Sequence, residues 1–274
     1  VTIVLDGSAL RGWRGSHRGV AERSGLARYA AATADQRPDR LAGDVASPVW
    51  TCVPFGAVAR DFFTEFLGDR VTGRLVHLGH SIVLHAPVRA GSHVLVDAGV
   101  VALRHTPQGA TVELQGTASS PDGQRLAEQS GTFLVAGSSA ENPFTEPQPG
   151  AELPDPAVGP ERALTVTVDR DQAVRYADAT GDRNPIHLDA AAARRIGFAA
   201  PILHGLCTLA LTCHALEHEV PGAEVGRLTT EFARPVFPGD VLTVRWYPTG
   251  VGAGFEVLNR RRRPVLRAGC LRSG

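Results

Sequence analysis

RYADATGDRNP, residues 175–185, repeats RYAAATADQRP, residues 28–38, with seven of eleven positions identical at an offset of 147 residues. An offset of about half the 274-residue chain marks a duplicated unit. The two copies are predicted to join within residues 138–160, a stretch rich in Pro, Gly, Ser and Glu without hydrophobic period. The expected organisation is a first repeat over 1–140, a linker over 141–160 and a second repeat over 161–274.

Both copies read as a helix, a buried or semi-buried second helix, and then successive strands. In the second copy, 164–168 reads as a short strand, 172–180 as a helix ending near Gly181, and 205–219 as a helix apolar nearly all round. Strand-like runs follow at 225–236, 241–247 and 255–271, the last split by a turn. In the first copy the helices are expected at 25–33 and 57–66, and the strands at 75–88, 93–103, 111–119 and 126–135. An antiparallel meander needs one face covered, and one apolar helix per copy covers it. The expected class is α+β.

Composition narrows the function. With 28 basic and 28 acidic residues the formal net charge is zero, so nothing in the whole chain supplies the positive field of a nucleic-acid binder. Hydrophobic residues make up 43%, enough for a sizeable core. There is no lysine, which rules out Schiff-base, pyridoxal-lysine and Walker-type lysine chemistry. Cys52, Cys207, Cys213 and Cys270 lack metal-site spacing and read as reduced, buried thiols. No apolar run reaches the length of a membrane helix and no signal-peptide pattern is present, so the expectation is a cytoplasmic protein with no membrane partner.

The chemistry concentrates in GDRNPIHLDAAAARRIGFAAPILHGLCT, residues 181–208. Asp182, Asn184 and His187 stand at D-x-N-x-x-H spacing on a proline-fixed loop. An acid and an imidazole aimed at one point can hold a water between them, one taking its proton while the other delivers a proton elsewhere. Taken alone, these three fit a capping Asp and a loop His with local hydrogen bonds better than a catalytic set.

The wider pattern reverses that balance. Tyr176, Gly181-Asp182, Asn184-Pro185, His187, Asp189, Ala193, Gly197-Phe198, Pro201 to Gly205 and Thr208, followed by Phe232 and Val236 to Asp240, resemble the signature of the MaoC-like R-specific enoyl-thioester hydratases. The resemblance implies a double hot-dog fold, two antiparallel sheets each wrapping a central helix and fused as a pseudo-dimer. It implies reversible hydration of trans-2-enoyl thioesters to R-3-hydroxyacyl thioesters, or the reverse dehydration, with Asp182 and His187 as the catalytic pair and Asn184 orienting them or their water. The Gly205 N–H, at a helix start, suits the thioester oxygen. His204 either contacts substrate or caps the helix. No metal or organic cofactor is needed, and the substrate is carried by coenzyme A or an acyl carrier protein.

At the same offset the first copy has Asp35 but Arg37 and Arg40 in place of Asn184 and His187, so one active site per chain is expected. The resemblance makes the first copy the acyl-chain side, with Trp50, Phe55, Phe62, Phe63 and Phe66 as candidates that fit an ordinary core equally well. Two other reactions stay open on the same residues, addition of an amine to the enoyl thioester and hydrolysis of the thioester, as does a silent acyl-thioester binder. His214 to His218 matches the zinc pattern H-x-x-E-H, read here as the polar end of a buried helix. His77, His80, His85 and His93 fall at mixed parity on strands, so they are expected not to share one face and not to form a simple ligand set. Arg260, Arg261, Arg262 and Arg263 read as a hairpin turn or as a contact for a carrier phosphate. Hot-dog proteins commonly associate further, so a homodimer is an open expectation.

Overall fold

In Arg125–Ala136 and Val241–Thr249 buried and partly exposed residues alternate, the period-two signature of strands with one face on a core. The computed structural model describes residues 3–68, 74–147, 155–219 and 225–273. The first copy contains β1 (Ile3–Asp6), α1 (Gly7–Leu10), β2 (Arg14–Val20), α2 (Arg23–Ala32), α3 (Pro38–Leu41) and α4 (Cys52–Leu67). Strands β3 (Leu75–Leu84), β4 (His93–Thr106), β5 (Gly109–Ser119), β6 (Arg125–Ala136), β7 (Ser138–Glu141) and β8 (Phe144–Thr145) follow. The second copy contains β9 (Arg162–Thr167), α5 (Gln172–Thr180), α6 (Ala190–Arg195) and α7 (Gly205–Glu219), then β10 (Val225–Phe232), β11 (Val241–Thr249), β12 (Gly252–Leu258) and β13 (Pro264–Ser273).

The main sheet runs β2-β4-β5-β6-β3-β10-β13-β12-β11-β9, every neighbour antiparallel. Its two halves have the same strand order and meet where β3 pairs with β10. That junction is two-fold symmetric in the sequence. His80 faces Thr230 and Val83 faces Arg227, and adding the repeat offset to His80 and Val83 gives Arg227 and Thr230. The first helices of the copies also meet, Tyr29 against the equivalent Tyr176 with ring centroids 5.9 Å apart. Each half-sheet covers one long helix. On α4, Phe55, Phe62, Phe63 and Leu67 are buried, and on α7 Cys207, Leu209, Leu211, Cys213 and Leu216 are. Burying each such large side chain contributes about 1.5–3 kcal/mol. This is the double hot-dog fold.

Several boundaries differ from the sequence reading. Helix α4 begins at Cys52 rather than near Ala57, because Pro54 lies in the first turn, where its missing N–H breaks no bond. Strands β3 and β10 stop at Leu84 and Phe232, short of Pro87 and Pro235. Strand β2 went unread because RGSHRGV is polar and glycine-rich, as suits a sheet edge. The stretch 141–160 contains β8, paired with β4, and a bridge from Ala157 to Thr249, while 148–154 lie outside the described residues. All four cysteines are free and buried. No described helix is long and apolar enough to cross a membrane.

Candidate active site

Helix α5 ends on Gly181, whose φ of 73° is the left-handed conformation that glycine adopts without strain. The chain then turns sharply into Asp182. Its N–H donates to Thr180 Oγ1 at 3.2 Å, and its Oδ1 accepts from the Asn184 N–H at 3.2 Å. Asn184 Oδ1 in turn accepts from the Ile186 N–H and caps the single 3-10 turn Pro185–His187. Asn184 therefore acts on His187 through the backbone of that turn.

The protonation of His187 follows from its partner. Its Nδ1 lies 2.8 Å from the Ile202 carbonyl oxygen, which only accepts, so Nδ1 carries the proton and Nε2 is left as a base. Burial holds the His187 pKa below its ordinary value, against the opposing pull of Asp182 and the Ile202 carbonyl. Burial also works against the charged form of Asp182, but His204, His187, the Asn184 N–H and Arg60 outweigh it, and its pKa lies below the usual carboxylate value. At neutral pH the pair is a carboxylate beside a neutral imidazole.

His204 locks the two together. Its Nε2 donates to the Asp182 main-chain carbonyl at 3.0 Å, and its ring stacks on His187 with centroids 3.7 Å apart and meets Tyr176 at a tilt with centroids 4.8 Å apart. Burial and His187 push its pKa down, so it is neutral, with Nδ1 buried and unpartnered among the described residues. This is neither of the two roles open in the sequence: the ring ties the start of α7 to the Asp182 loop, and it also lines the cavity on which that loop opens. Asp182, His187 and His204 offer ligand atoms within 4.8 Å of one another, close enough to hold one water or one small cation.

These groups open on a cavity of about 580 Å³. The second copy supplies Asp182, Asn184, His187, His204 and Gly205, and the first supplies Phe55, Arg60, Phe63, His77, His80 and Phe133. Gly205 begins α7, and no described group accepts from its N–H. A Cβ there would lie 2.9 Å from the Phe232 ring, so glycine lets the wall close against the helix start. Of the five aromatic candidates, Phe55 and Phe63 reach the cavity. Trp50, Phe62 and Phe66 do not line it, and Phe62 packs on Trp13, Phe63 and Phe66.

Arg260 to Arg263 form the exposed β12–β13 turn, with Arg260 donating to the Gly239 carbonyl and the turn held by Asn259, and they do not line the cavity. The arginines that do are Arg60, Arg183 and Arg234, all exposed. The parity reading of the histidines needs correction. A bulge in β3 between His77 and Gly79 brings His77 and His80 to one side, with His80 Nδ1 3.3 Å from His77 Nε2. The signal was Gly79, a glycine inside a strand.

The equivalent loop of the first copy is closed. Arg40, in the place of His187, grips Glu217 of α7 through two bonds of 2.7 and 2.8 Å and reaches Asp35 at 3.4 Å. Asp35 also accepts from Ser47, and His214 lies between Thr33 and Glu217. Glu217 of the H-x-x-E-H pattern is thus committed to a guanidinium, which repels a cation from the Cys213, His214 and Glu217 cluster.

A double hot dog with an acid–imidazole pair on a capped loop, beside a helix N-terminus at one apolar cavity, defines a class of enzymes that act on acyl thioesters. Residues 152–266 match the family model described as MaoC like domain. Over 204 residues the chain is 34% identical to 3-hydroxyacyl-thioester dehydratase Y of Mycobacterium tuberculosis, covering 71% of this chain and 67% of that protein. It is 28% identical over 206 residues to enoyl-CoA hydratase ChsH3 of the same organism, covering 72% and 71%. A solved MaoC-like dehydratase from Phytophthora capsici superposes with a TM-score of 0.80 over 97% of each chain at 19% identity. The chain belongs to the MaoC-like dehydratase family.

Proposed function

We propose that this site adds water to the double bond of a 2-enoyl thioester, and removes it again, through Asp182 and His187. The family assignment makes the chain a hydro-lyase of enoyl and 3-hydroxyacyl thioesters. The observation that carries the residue roles is the pair itself. A carboxylate and a neutral imidazole with its free Nε2 share a point at the cavity, near the unpaired N–H of Gly205.

The proton balance follows from that charge state. Both groups are unprotonated bases at neutral pH, so the proton delivered to Cα is the one taken from water. Hydroxide oxygen bonds to Cβ, the π electrons move toward the thioester carbonyl, and the Gly205 N–H at the α7 start stabilises the charge on its oxygen. The pair then returns the proton to Cα and ends as it began. Both new bonds form on the face of the double bond turned toward Asp182 and His187, which supports syn addition, and the R-3-hydroxyacyl product is what the family resemblance implies.

Arg60, Arg183 and Arg234 are exposed and line the cavity; Arg183 is paired with Asp178, and the charges of Arg60 and Arg234 support a phosphate-bearing carrier, coenzyme A or a carrier-protein phosphopantetheine. Following loss of enoyl-thioester absorbance with crotonyl-CoA, with mass spectrometry of the product, tests the reading. A mass gain of water supports it; an amine adduct, a free acid, or binding without turnover overturns it.

A further inference from the structure

Helix α4 turns one face to the cavity. Cys52, Phe55, Gly56, Ala59, Arg60 and Phe63 line it from about three turns of this helix of the first copy, whereas α7 of the catalytic copy reaches it only with its first turn, through Gly205, Leu206 and Thr208. Gly56 stands at the centre of the α4 face, one turn after Cys52 and two turns before Phe63.

A glycine inside a helix lowers stability, because it loses more chain freedom on folding than alanine does. The usual reasons for one are absent here. The φ of Gly56 is not positive, and the helix continues unbroken through it to Leu67. A Cβ there would meet, among the described residues, only Arg60 Nη1 at 3.5 Å, an ordinary van der Waals contact. The other two glycines that line the cavity differ. Gly181 has the left-handed φ of a helix end, and Gly205 has the Phe232 ring 2.9 Å from where its Cβ would lie.

What Gly56 provides is the space in front of it. The recess is bordered on α4 by Cys52, Ala59 and Phe63, all buried and apolar, with exposed Arg60 beside it. A side chain at this position would point from the middle of the wall into the cavity. We infer that Gly56 is a specificity-determining residue: it gives up helix stability to keep the α4 wall open for the hydrocarbon of an acyl group larger than crotonyl, a longer or a branched chain. A glycine of this kind marks a place where stability and substrate range are set against each other.

This inference rests on the reading of the cavity as an acyl-thioester site, and its test includes readouts apart from turnover. Hydration of crotonyl-CoA, of longer straight 2-enoyl-CoAs and of chains with a methyl branch beyond Cβ is compared for the parent, G56A and G56L. For the largest acyl group that the parent accepts, kcat/KM relative to crotonyl-CoA is expected to fall about tenfold or more in G56L and by a smaller factor in G56A, the range that single methylenes command in an apolar pocket. G56A is also expected to melt about 2–4 °C above the parent, the gain of a helix-interior alanine over glycine. A parent that accepts crotonyl-CoA alone, a G56L loss that is equal for every acyl group, or a G56A that melts below the parent overturns the inference. If G56L does not fold, an unchanged ratio in G56A overturns it. Should the parent hydrate no enoyl-CoA, the hydration reading fails by itself, and calorimetric binding of saturated acyl-CoAs of the same sizes to the same proteins decides the role of Gly56 by the same ratio.

Discussion

Asp182 and Asp35 stand on the same loop of the two copies, yet one faces a cavity of about 580 Å³ and the other is sealed into an ion-pair cluster. The difference lies one turn further on. At the second copy the turn carries His187, whose ring stays beside the carboxylate and whose free nitrogen faces the cavity. At the first it carries Arg40, long enough to reach Glu217 on the helix of the other copy and to draw Asp35 into the same cluster. What remains there is a pocket of about 90 Å³. Where the second copy has Asn184 and His187 beside its aspartate at the cavity, the first has Arg37 and Arg40, and Arg40 makes a clamp between the copies.

The largest effect is expected on removing Asp182 or His187. Asp182→Asn and His187→Ala are each expected to lower kcat by about 10²- to 10⁴-fold with an unchanged circular dichroism spectrum. Equal rates in the variants and the parent would show that the loop is not the site.

The next test acts on the closed copy. Arg40→Ala leaves Glu217 and Asp35 as uncompensated buried charges, and is expected to destabilise the fold by about 3–5 kcal/mol, read from denaturant unfolding. A loss under about 1 kcal/mol would show that the cluster does not hold the copies together.

A third test uses pH. The His187 pKa lies below 6.5 and the Asp182 pKa below 3.8, so both bases keep their active forms through neutrality and lose them only on acidification. The acid limb of kcat/KM is expected to lie below pH 6.5. An acid limb above that value would mean that a base other than this lowered imidazole controls the rate, and activity lost as pH rises through that region would mean that His187 works from the protonated state. The smallest effect is expected at Gly205→Ala, where the added methyl must displace the Phe232 ring, an overpacking cost of about 1–3 kcal/mol that appears in kcat/KM.

Much of this was legible in the sequence. The repeat gave the number of copies, and helices α5 and α7 have the limits that their periodicity predicts, 172–180 and 205–219. Asp182, Asn184, His187, His204 and Gly205 converge on the cavity, as their clustering within one loop and helix start suggested. What escaped depends on contacts between copies. Arg60 reaches the site from α4, far away in the chain. His77 and His80 were separated by strand parity, which one bulge undoes. The Arg40–Glu217 pair spans 177 residues, and local pattern carries no trace of such a partner. The arginine run at 260–263 shows the converse, a conspicuous motif placed on a turn away from the cavity.

If one copy works and the other only holds, the two equivalent aspartates differ in their effect on rate. Crotonyl-CoA hydration by the parent protein, Asp182→Asn and Asp35→Asn, measured side by side on material shown to be folded, tests it most directly. A fall of about 10²- to 10⁴-fold is expected for Asp182→Asn and a rate within about twofold of the parent for Asp35→Asn. Equal losses in both variants, or an unchanged rate in Asp182→Asn, would contradict it.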